Sequence, residues 1–199
     1  YLDSEIEGSE TSRKTANQLK RLWLIKKDGY QKLRDSVLNI QIYQQPELMP
    51  IFHLGLAFNI FPIYRETTKA IGLLDRVINP LPKKSIVDRA LERFGNTASI
   101  PRAVARVLQT LEDWGFIGSS TNSIEINEIN IQNNAALEWF LLALINLNKL
   151  HVASLSEVHN MPEKLGIKID QIREIIQESN ILKISRNSSG LGTIISTQE

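Results

Sequence analysis

The amino-acid sequence predicts a mainly α-helical protein with small β-hairpins. Apolar residues recur every three or four positions through much of the chain, and Gly-, Pro- and Ser-rich breaks separate these stretches. Two short segments instead alternate apolar and polar residues, as hairpin strands do. The 199 residues are 42% hydrophobic and 23% charged, which excludes a disordered or fibrous chain. Cysteine is absent, so disulfides and thiolate chemistry are excluded and we expect a reducing, cytoplasmic setting.

Residues 1–80 predict a helical unit. A first helix is expected after a cap at Thr11 or Ser12, and a second over 30–40. The buried face of the first helix would hold three apolar residues, Leu19, Leu22 and Trp23. Residues 51–78 predict further helix, with a kink or a new start at Pro62.

Residues 81–131 predict two helices and a hairpin. Ser85 is the expected cap of the first helix, with Asp88 as a weaker partner in its capping box. Ser99 is expected to cap the second, over 99–114, with Pro101 in its first turn. Its buried stripe recurs at helical spacing: Val104, Val107, Leu108 and Leu111. The polar turn at 118–123 lies between short apolar-polar alternations and predicts a hairpin.

Residues 132–199 repeat this order of elements. A long apolar helix is expected at 135–147, followed by a helix with a capping box at Ser154 and Glu157. Asp170 is expected to cap a third helix, and 180–196 predict strand, turn and strand. The buried face of the third helix would consist of Ile172, Ile175 and Ile176.

This order resembles the winged-helix variant of the helix-turn-helix fold. The resemblance covers about 65–131, with the last helix of the first unit counted in, and the architecture recurs after 132 with low identity between the halves. It implies an N-terminal helical unit at 1–80 followed by two tandem winged-helix domains, at 81–131 and 132–199. It also implies that the helix over 99–114 is a recognition helix for double-stranded DNA.

The segments at 12–24 and 53–72, together with the winged helix that follows them, are similar to the family of the small accessory protein BrxA of BREX phage-defence systems. That similarity implies DNA binding in a phage-defence system. It supplies no site residue, and the unit after 132 departs from the shorter pattern of that family.

Charge is distributed unevenly although the net charge is only +1. Residues 12–34 contain eight basic side chains and one acid, and residues 65–106 contain nine basic and four acidic ones. Between 107 and 163, Lys149 is the only Lys or Arg beside seven acids. This polarity favours a polyanion as the partner of the first half, although two solvated helical surfaces would give the same pattern.

Candidate DNA-binding residues come from three places. Arg102, Arg106 and Gln109 lie on the face of the 99–114 helix opposite its apolar stripe, with Asp113 at the far end, and Ser99 would hold a phosphate at the helix start. The flanking cations expected to contact the DNA backbone are Lys83, Lys84, Arg89 and Arg93. The cations of the first helix, which would widen the contact or only solvate the helix, are Arg13, Lys14, Lys20 and Arg21.

The alternative function is a protein-interaction scaffold or oligomerisation module built on winged helices. The third helix of the second unit offers an almost neutral to acidic face with Arg173, Glu174, Gln177 and Glu178, which phosphates would not favour. This unit would then pack, pair with its copy in another subunit or bind a protein. The apolar helix at 135–147 is its candidate surface if it is not wholly buried.

We expect no enzyme activity, cofactor, metal or membrane span. His53 lies among apolar residues and is expected in the core or at its boundary, while His151 and His159 lack a carboxylate at metal-ligand spacing. No glycine-rich phosphate loop occurs, and Glu112 and Asp113 point to different sides of their helix. The apolar stretches at 48–63 and 135–147 are shorter than the roughly 20 residues that a bilayer requires, so we expect buried helices there. An active site assembled from distant residues stays open.

Overall fold

Helices form most of the structure, and the strands form small sheets. The computed structural model describes residues 9–24, 30–38, 45–147, 152–169, 172–179, 182–186 and 192–196. The α-helices of these residues are α1 (Ser9–Leu24), α2 (Tyr30–Leu38), α3 (Met49–Ile60), α4 (Pro62–Leu74), α5 (Lys83–Phe94), α6 (Ser99–Asp113), α7 (Asn134–Leu147), α8 (Leu155–His159) and α9 (Ile172–Glu178). The strands are β1 (Leu81–Pro82), β2 (Ile117–Ser119), β3 (Ser123–Ile126), β4 (Ile129–Asn130), β5 (Val152–Ser154), β6 (Ile167–Lys168), β7 (Leu182–Arg186) and β8 (Gly192–Ser196). The predicted class, mainly α with small β-hairpins, is confirmed.

The expected break at Pro62 is confirmed. Phe61 takes an extended conformation (φ −100°, ψ 109°), and α4 begins at Pro62, where the missing N–H costs little. The chain consequently bends by 111° between the helical stretch Pro46–Ile60 and Pro62–Leu74. None of the described helices has by itself the length and apolar character to cross a bilayer; this sharply bent pair satisfies those criteria only when its two halves are joined.

The core is centred on α3 and α7. Phe52 packs edge-on against Trp139 at 4.9 Å between ring centroids, and Phe58 against Phe140 at 6.1 Å. The Trp139 Nε1–H donates to the Leu33 carbonyl at 2.9 Å and so fastens α2 to α7. Almost every apolar side chain of α7 is buried, because α7 is apolar around its whole circumference. It is therefore a core helix and not an interaction surface.

The first three-stranded sheet packs beside α5 and α6. Its antiparallel strand order is β1-β3-β2, so the strand before α5 pairs with the second strand of the hairpin that follows α6. Leu81 lies opposite Ile124, and Ile117 lies opposite Ile126. The predicted hairpin and the buried stripe of α6 are both confirmed.

The second three-stranded sheet repeats this arrangement with the order β5-β8-β7. The predicted capping box of α8 is present: Ser154 Oγ accepts from Glu157 N at 3.0 Å, and Glu157 Oε2 accepts from Ser154 N at 2.7 Å. The predicted buried face of α9 is confirmed as well. Asp170, expected as the cap of α9, and the hairpin turn at 187–191 lie outside the described residues.

The two sheet-bearing halves are joined by close backbone contacts. Strands β4 and β6 pair in parallel, with Ile129 opposite Ile167, and Arg76 donates to the Asn160 carbonyl at 2.5 Å. A 3₁₀ turn, Pro162–Lys164, packs directly on α4, where a Cβ on Gly72 would lie 2.7 Å from the Pro162 carbonyl carbon. One cluster of buried apolar residues includes members from all three predicted units. The domain boundaries at 80/81 and 131/132 stay predictions.

The predicted caps of α1 and α5 are wrong. Helix α1 already includes Thr11 and Ser12, so neither residue caps it. Helix α5 begins at Lys83 after the extended Pro82, which places Ser85 inside the first turn without a capping hydrogen bond. The Lys83 N–H instead donates to the Asn122 carbonyl at 2.9 Å, because β1 brings the start of α5 against the hairpin turn.

Candidate nucleic-acid interface

Helix α6 separates an apolar face from a polar one. Val104, Val107, Leu108 and Leu111 are buried against α4 and α5, as the 3.6-residue period requires. The opposite side is exposed along the helix and consists of Arg102, Arg106, Gln109 and Asp113. Arg102 and Arg106 are one turn apart, which corresponds to about 6 Å along the axis.

Two arginines supply the positive charge of this face. Among the described residues, neither Arg102 nor Arg106 forms a hydrogen bond or salt bridge to a carboxylate. Arg102 lies in the first turn of α6, where the helix dipole adds positive potential, and Arg106 is the central residue of the helix. Glu112 and Asp113 are exposed at the C-terminal end, so positive charge falls off along the helix. An anion would therefore be attracted to the N-terminal half.

The start of α6 differs from the prediction. Ser99 is the first residue of the helix and not its cap, because Ala98 already has a helical conformation (φ −60°, ψ −16°) and no side chain caps the helix. The Ile100 N–H is satisfied by the Thr97 carbonyl at 3.1 Å, so a preceding turn replaces the side-chain cap. The Ser99 hydroxyl is exposed, 3.2 Å from the Thr97 hydroxyl, and remains at the N-terminal end of the helix.

Each of the predicted flanking cations has a polar partner on the protein. Three form salt bridges, Lys84–Asp88 at 2.6 Å, Arg89–Glu92 at 3.3 Å and Arg93–Glu66 at 3.6 Å, and Lys83 Nζ donates to the Ser120 carbonyl at 2.5 Å. Exposed pairs of this kind contribute only about 0–1 kcal/mol, so a phosphate can compete for these cations. The nearby carboxylates nevertheless reduce the positive potential around α5.

The cations of α1 are exposed to solvent where their side chains are described. These are Arg13, Lys20 and Arg21, whereas the side chain of Lys14 lies outside the described part. The Arg21 guanidinium stands over the Phe61 ring at 5.3 Å from its centroid. This cation–π contact fixes one end of α1 against the start of α4.

An aromatic cluster connects α1 with the end of α6. Its members are the half-buried rings of Trp23, His53, Phe61, Tyr64 and Trp114. His53 lies between the two tryptophans, with centroid distances of 5.7 Å to Trp23 and 5.4 Å to Trp114. Tyr64 continues the cluster at 6.2 Å from Trp114 and 6.0 Å from Phe61. Sequence analysis missed this cluster because its members come from four separate helical segments.

Burial of the aromatic cluster affects both of its titratable groups. It lowers the pKa of His53, which favours the neutral imidazole, and it raises the pKa of Tyr64, which keeps the phenol protonated. The prediction that His53 lies in the core or at its boundary is confirmed. The cluster thus holds α1, α3, α4 and α6 together through neutral rings.

Within the part of the chain that the structure describes, no three His, Asp or Glu side chains are grouped closely enough to bind a metal. His159 is exposed on α8, and His151 lies outside the described residues. Glu112 and Asp113 are both exposed.

Comparisons of the chain with models of protein families, with curated proteins and with solved structures find no match. The interpretation of the site therefore depends on its geometry and charge.

Proposed function

We propose that the protein binds double-stranded DNA through the exposed face of α6, on a scaffold of two tandem winged-helix domains. The order α4, β1, α5, α6, β2, β3 and the strand order β1-β3-β2 support the first winged helix. The order α7, β5, α8, β6, α9, β7, β8 and the strand order β5-β8-β7 support the second. In such a scaffold the third helix, here α6, enters the major groove.

The observation that carries this proposal is the exposure of Arg102 and Arg106 without carboxylate partners among the described residues. An arginine donates two hydrogen bonds to guanine O6 and N7, and Gln109, on the same face, can pair with adenine N6 and N7. Phosphates would repel Asp113, so the N-terminal half of α6 faces the bases.

The remaining predicted residues serve orientation and affinity. Ser99 and the N-terminus of α6 bind a phosphate through the exposed Ser99 hydroxyl and the positive end of the helix dipole, since the Ile100 N–H is bonded to Thr97 and Pro101 has no N–H. Lys83, Lys84, Arg89 and Arg93 contact the flanking backbone after exchange of their protein partners, and α1 adds Arg13, Lys14, Lys20 and Arg21. The biological role is regulatory or that of an accessory factor, with the resemblance to the BrxA family favouring phage defence.

The experiment is a titration of labelled random duplex DNA, followed by fluorescence anisotropy at several salt concentrations. Binding through phosphates makes log K fall against log salt with a slope of about −0.9 for each phosphate neutralised. At a preferred site, Arg102→Ala and Arg106→Ala should each reduce the binding free energy by about 1–3 kcal/mol. Arg173→Ala, at an exposed arginine on α9, is the matched control and should bind as the wild type does. Unchanged affinity of the folded double variant Arg102→Ala/Arg106→Ala would refute the role of α6.

The second candidate function is a protein-interaction scaffold, and an exposed apolar patch favours it. Leu73, Val77 and Ile78, at the end of α4 and in the following turn, are 44%, 81% and 42% exposed. If this patch mediates self-association, Val77→Ser should shift the sedimentation coefficient towards that of a monomer. An identical sedimentation profile over a wide concentration range for wild type and variant would reject self-association through this patch.

A further inference from the structure

The hairpin beside α6 carries no positive charge. In residues 117–126, all of which the structure describes, the only charged side chain is Glu125, and it is exposed. The turn between β2 and β3 is made of small polar residues, and its tip exposes Thr121 and Asn122. The side chains of the hairpin therefore add no positive charge next to the arginines of α6, and the cation at its turn is Lys83 of α5.

The polar groups of this turn bond to one another. Ser120 N–H donates to the Ser123 carbonyl at 2.9 Å, Ser123 N–H donates to Ser120 Oγ at 3.2 Å, and the two hydroxyls are 2.8 Å apart. Lys83, whose Nζ is bonded to the Ser120 carbonyl, brings its charge onto the turn backbone instead of extending it beyond the tip. The N–H groups of Ser120 and Ser123 are therefore not available to a phosphate, and the exposed donors of the tip are the neutral side chains of Thr121 and Asn122.

A hairpin that enters the minor groove needs the opposite charge. The minor groove is narrow in A·T tracts and has a strongly negative potential, which attracts inserted Arg and Lys side chains. Glu125 and an uncharged tip gain nothing from that potential. The positive charge that attracts DNA lies on α6, at Arg102 and Arg106, and the major groove is wide enough to admit an α-helix.

We infer that the exposed face of α6 enters the major groove of duplex DNA while the β2–β3 hairpin beside it stays out of the adjacent minor groove. This inference rests on the proposed function of α6. Its partner is thus a duplex whose major groove is accessible, including one whose minor groove is already occupied by another ligand.

The first test is competition on an A·T-rich duplex. Netropsin, which occupies the minor groove, should leave the affinity of the wild-type protein unchanged, whereas methyl green, which occupies the major groove, should displace it. Displacement by netropsin as effective as that by methyl green would overturn the inference.

A second test reverses charge at matched exposed positions. Asn122→Glu places a carboxylate at the hairpin tip and should leave the affinity unchanged, whereas Arg106→Glu should weaken binding about tenfold or more. Equal losses for the two folded variants would show that the hairpin lies against DNA and would overturn the inference. If the wild-type protein does not bind duplex DNA, the proposed function and this inference are both refuted. If it binds, but netropsin or Asn122→Glu weakens the binding, only the inference is refuted.

Discussion

Replacement of Gly72 by alanine tests whether the two sheet-bearing halves are held together by close packing. A Cβ at this position would lie 2.7 Å from the carbonyl carbon of Pro162 and 2.8 Å from its Cα. Backbone atoms cannot rotate away as a side chain does, so the 3₁₀ turn Pro162–Lys164 has to move away from α4.

The expected magnitude follows from two opposing effects. Overpacking against backbone costs about 3 kcal/mol, at the upper end of the usual range. Alanine in place of glycine inside α4 returns about 1 kcal/mol through its higher helix propensity. The net destabilisation is about 2 kcal/mol, which corresponds to a fall in Tm of about 4–8 °C for a protein of this size.

The assay is urea unfolding followed by far-UV circular dichroism and by tryptophan fluorescence. Gly118→Ala is the matched control, because the nearest atom to its added Cβ is Asn127 Oδ1 at 3.8 Å, an ordinary contact. This control should change the free energy of unfolding by less than about 0.5 kcal/mol. If Gly72→Ala were as stable as Gly118→Ala, the close approach of α4 and the 3₁₀ turn would be refuted.

Three further substitutions have expected outcomes that the same unfolding assay measures. Burial raises the pKa of Glu163 above its ordinary 4.5, against the opposing charge of Lys69, so the folded state holds the proton more tightly than the unfolded state. The free energy of unfolding should fall as pH rises from 4.5 through the raised pKa, and Glu163→Gln should flatten this dependence. If the variant and the wild type had the same pH profile, the reasoning would be contradicted. Ser154→Ala removes half of the capping box with Glu157 and should cost about 1 kcal/mol. Thr67→Val replaces a buried hydroxyl that has no hydrogen-bond partner among the described residues, and should stabilise the fold by about 1 kcal/mol.

Controls for these substitutions lie on the same elements. Ser156→Ala changes an exposed serine of α8 outside the capping box and should be close to neutral, so an equal loss in Ser154→Ala and Ser156→Ala would deny the cap its role. Destabilisation by Thr67→Val would mean that the hydroxyl has a polar partner after all.

Local patterns in the sequence were sufficient to predict several elements. The stripe of α6 was predicted because its apolar spacing follows the helical period within a single segment, and the break at Pro62 because proline lacks the N–H that a continuous helix needs. The capping box at Ser154 was predicted for the same reason, since both partners lie within one helical turn. The exposed face with Arg102 and Arg106 was predicted together with the apolar stripe of α6, because it is the opposite side of the same helix.

Tertiary structure decided what local patterns leave open. Ser85 satisfies the local preference for a cap, yet the Lys83 N–H bonds to the Asn122 carbonyl of the hairpin turn, far along the chain, instead. The Arg93–Glu66 salt bridge and the aromatic cluster form only because particular helices pack together. The close approach of Gly72 to Pro162 depends on the same packing.

The sequence by itself thus predicted most of the helices, the hairpin after α6 and the polar side of α6, because these properties depend on neighbours within a few residues. Only the tertiary structure decided between the two roles left open for α7, a core helix or an interaction surface. It also decided that, within the described part of the chain, Arg102 and Arg106 stay apart from the carboxylates that pair with Lys84, Arg89 and Arg93. Pairing and burial depend on distances between segments far apart in the chain, which the packing of the whole core fixes.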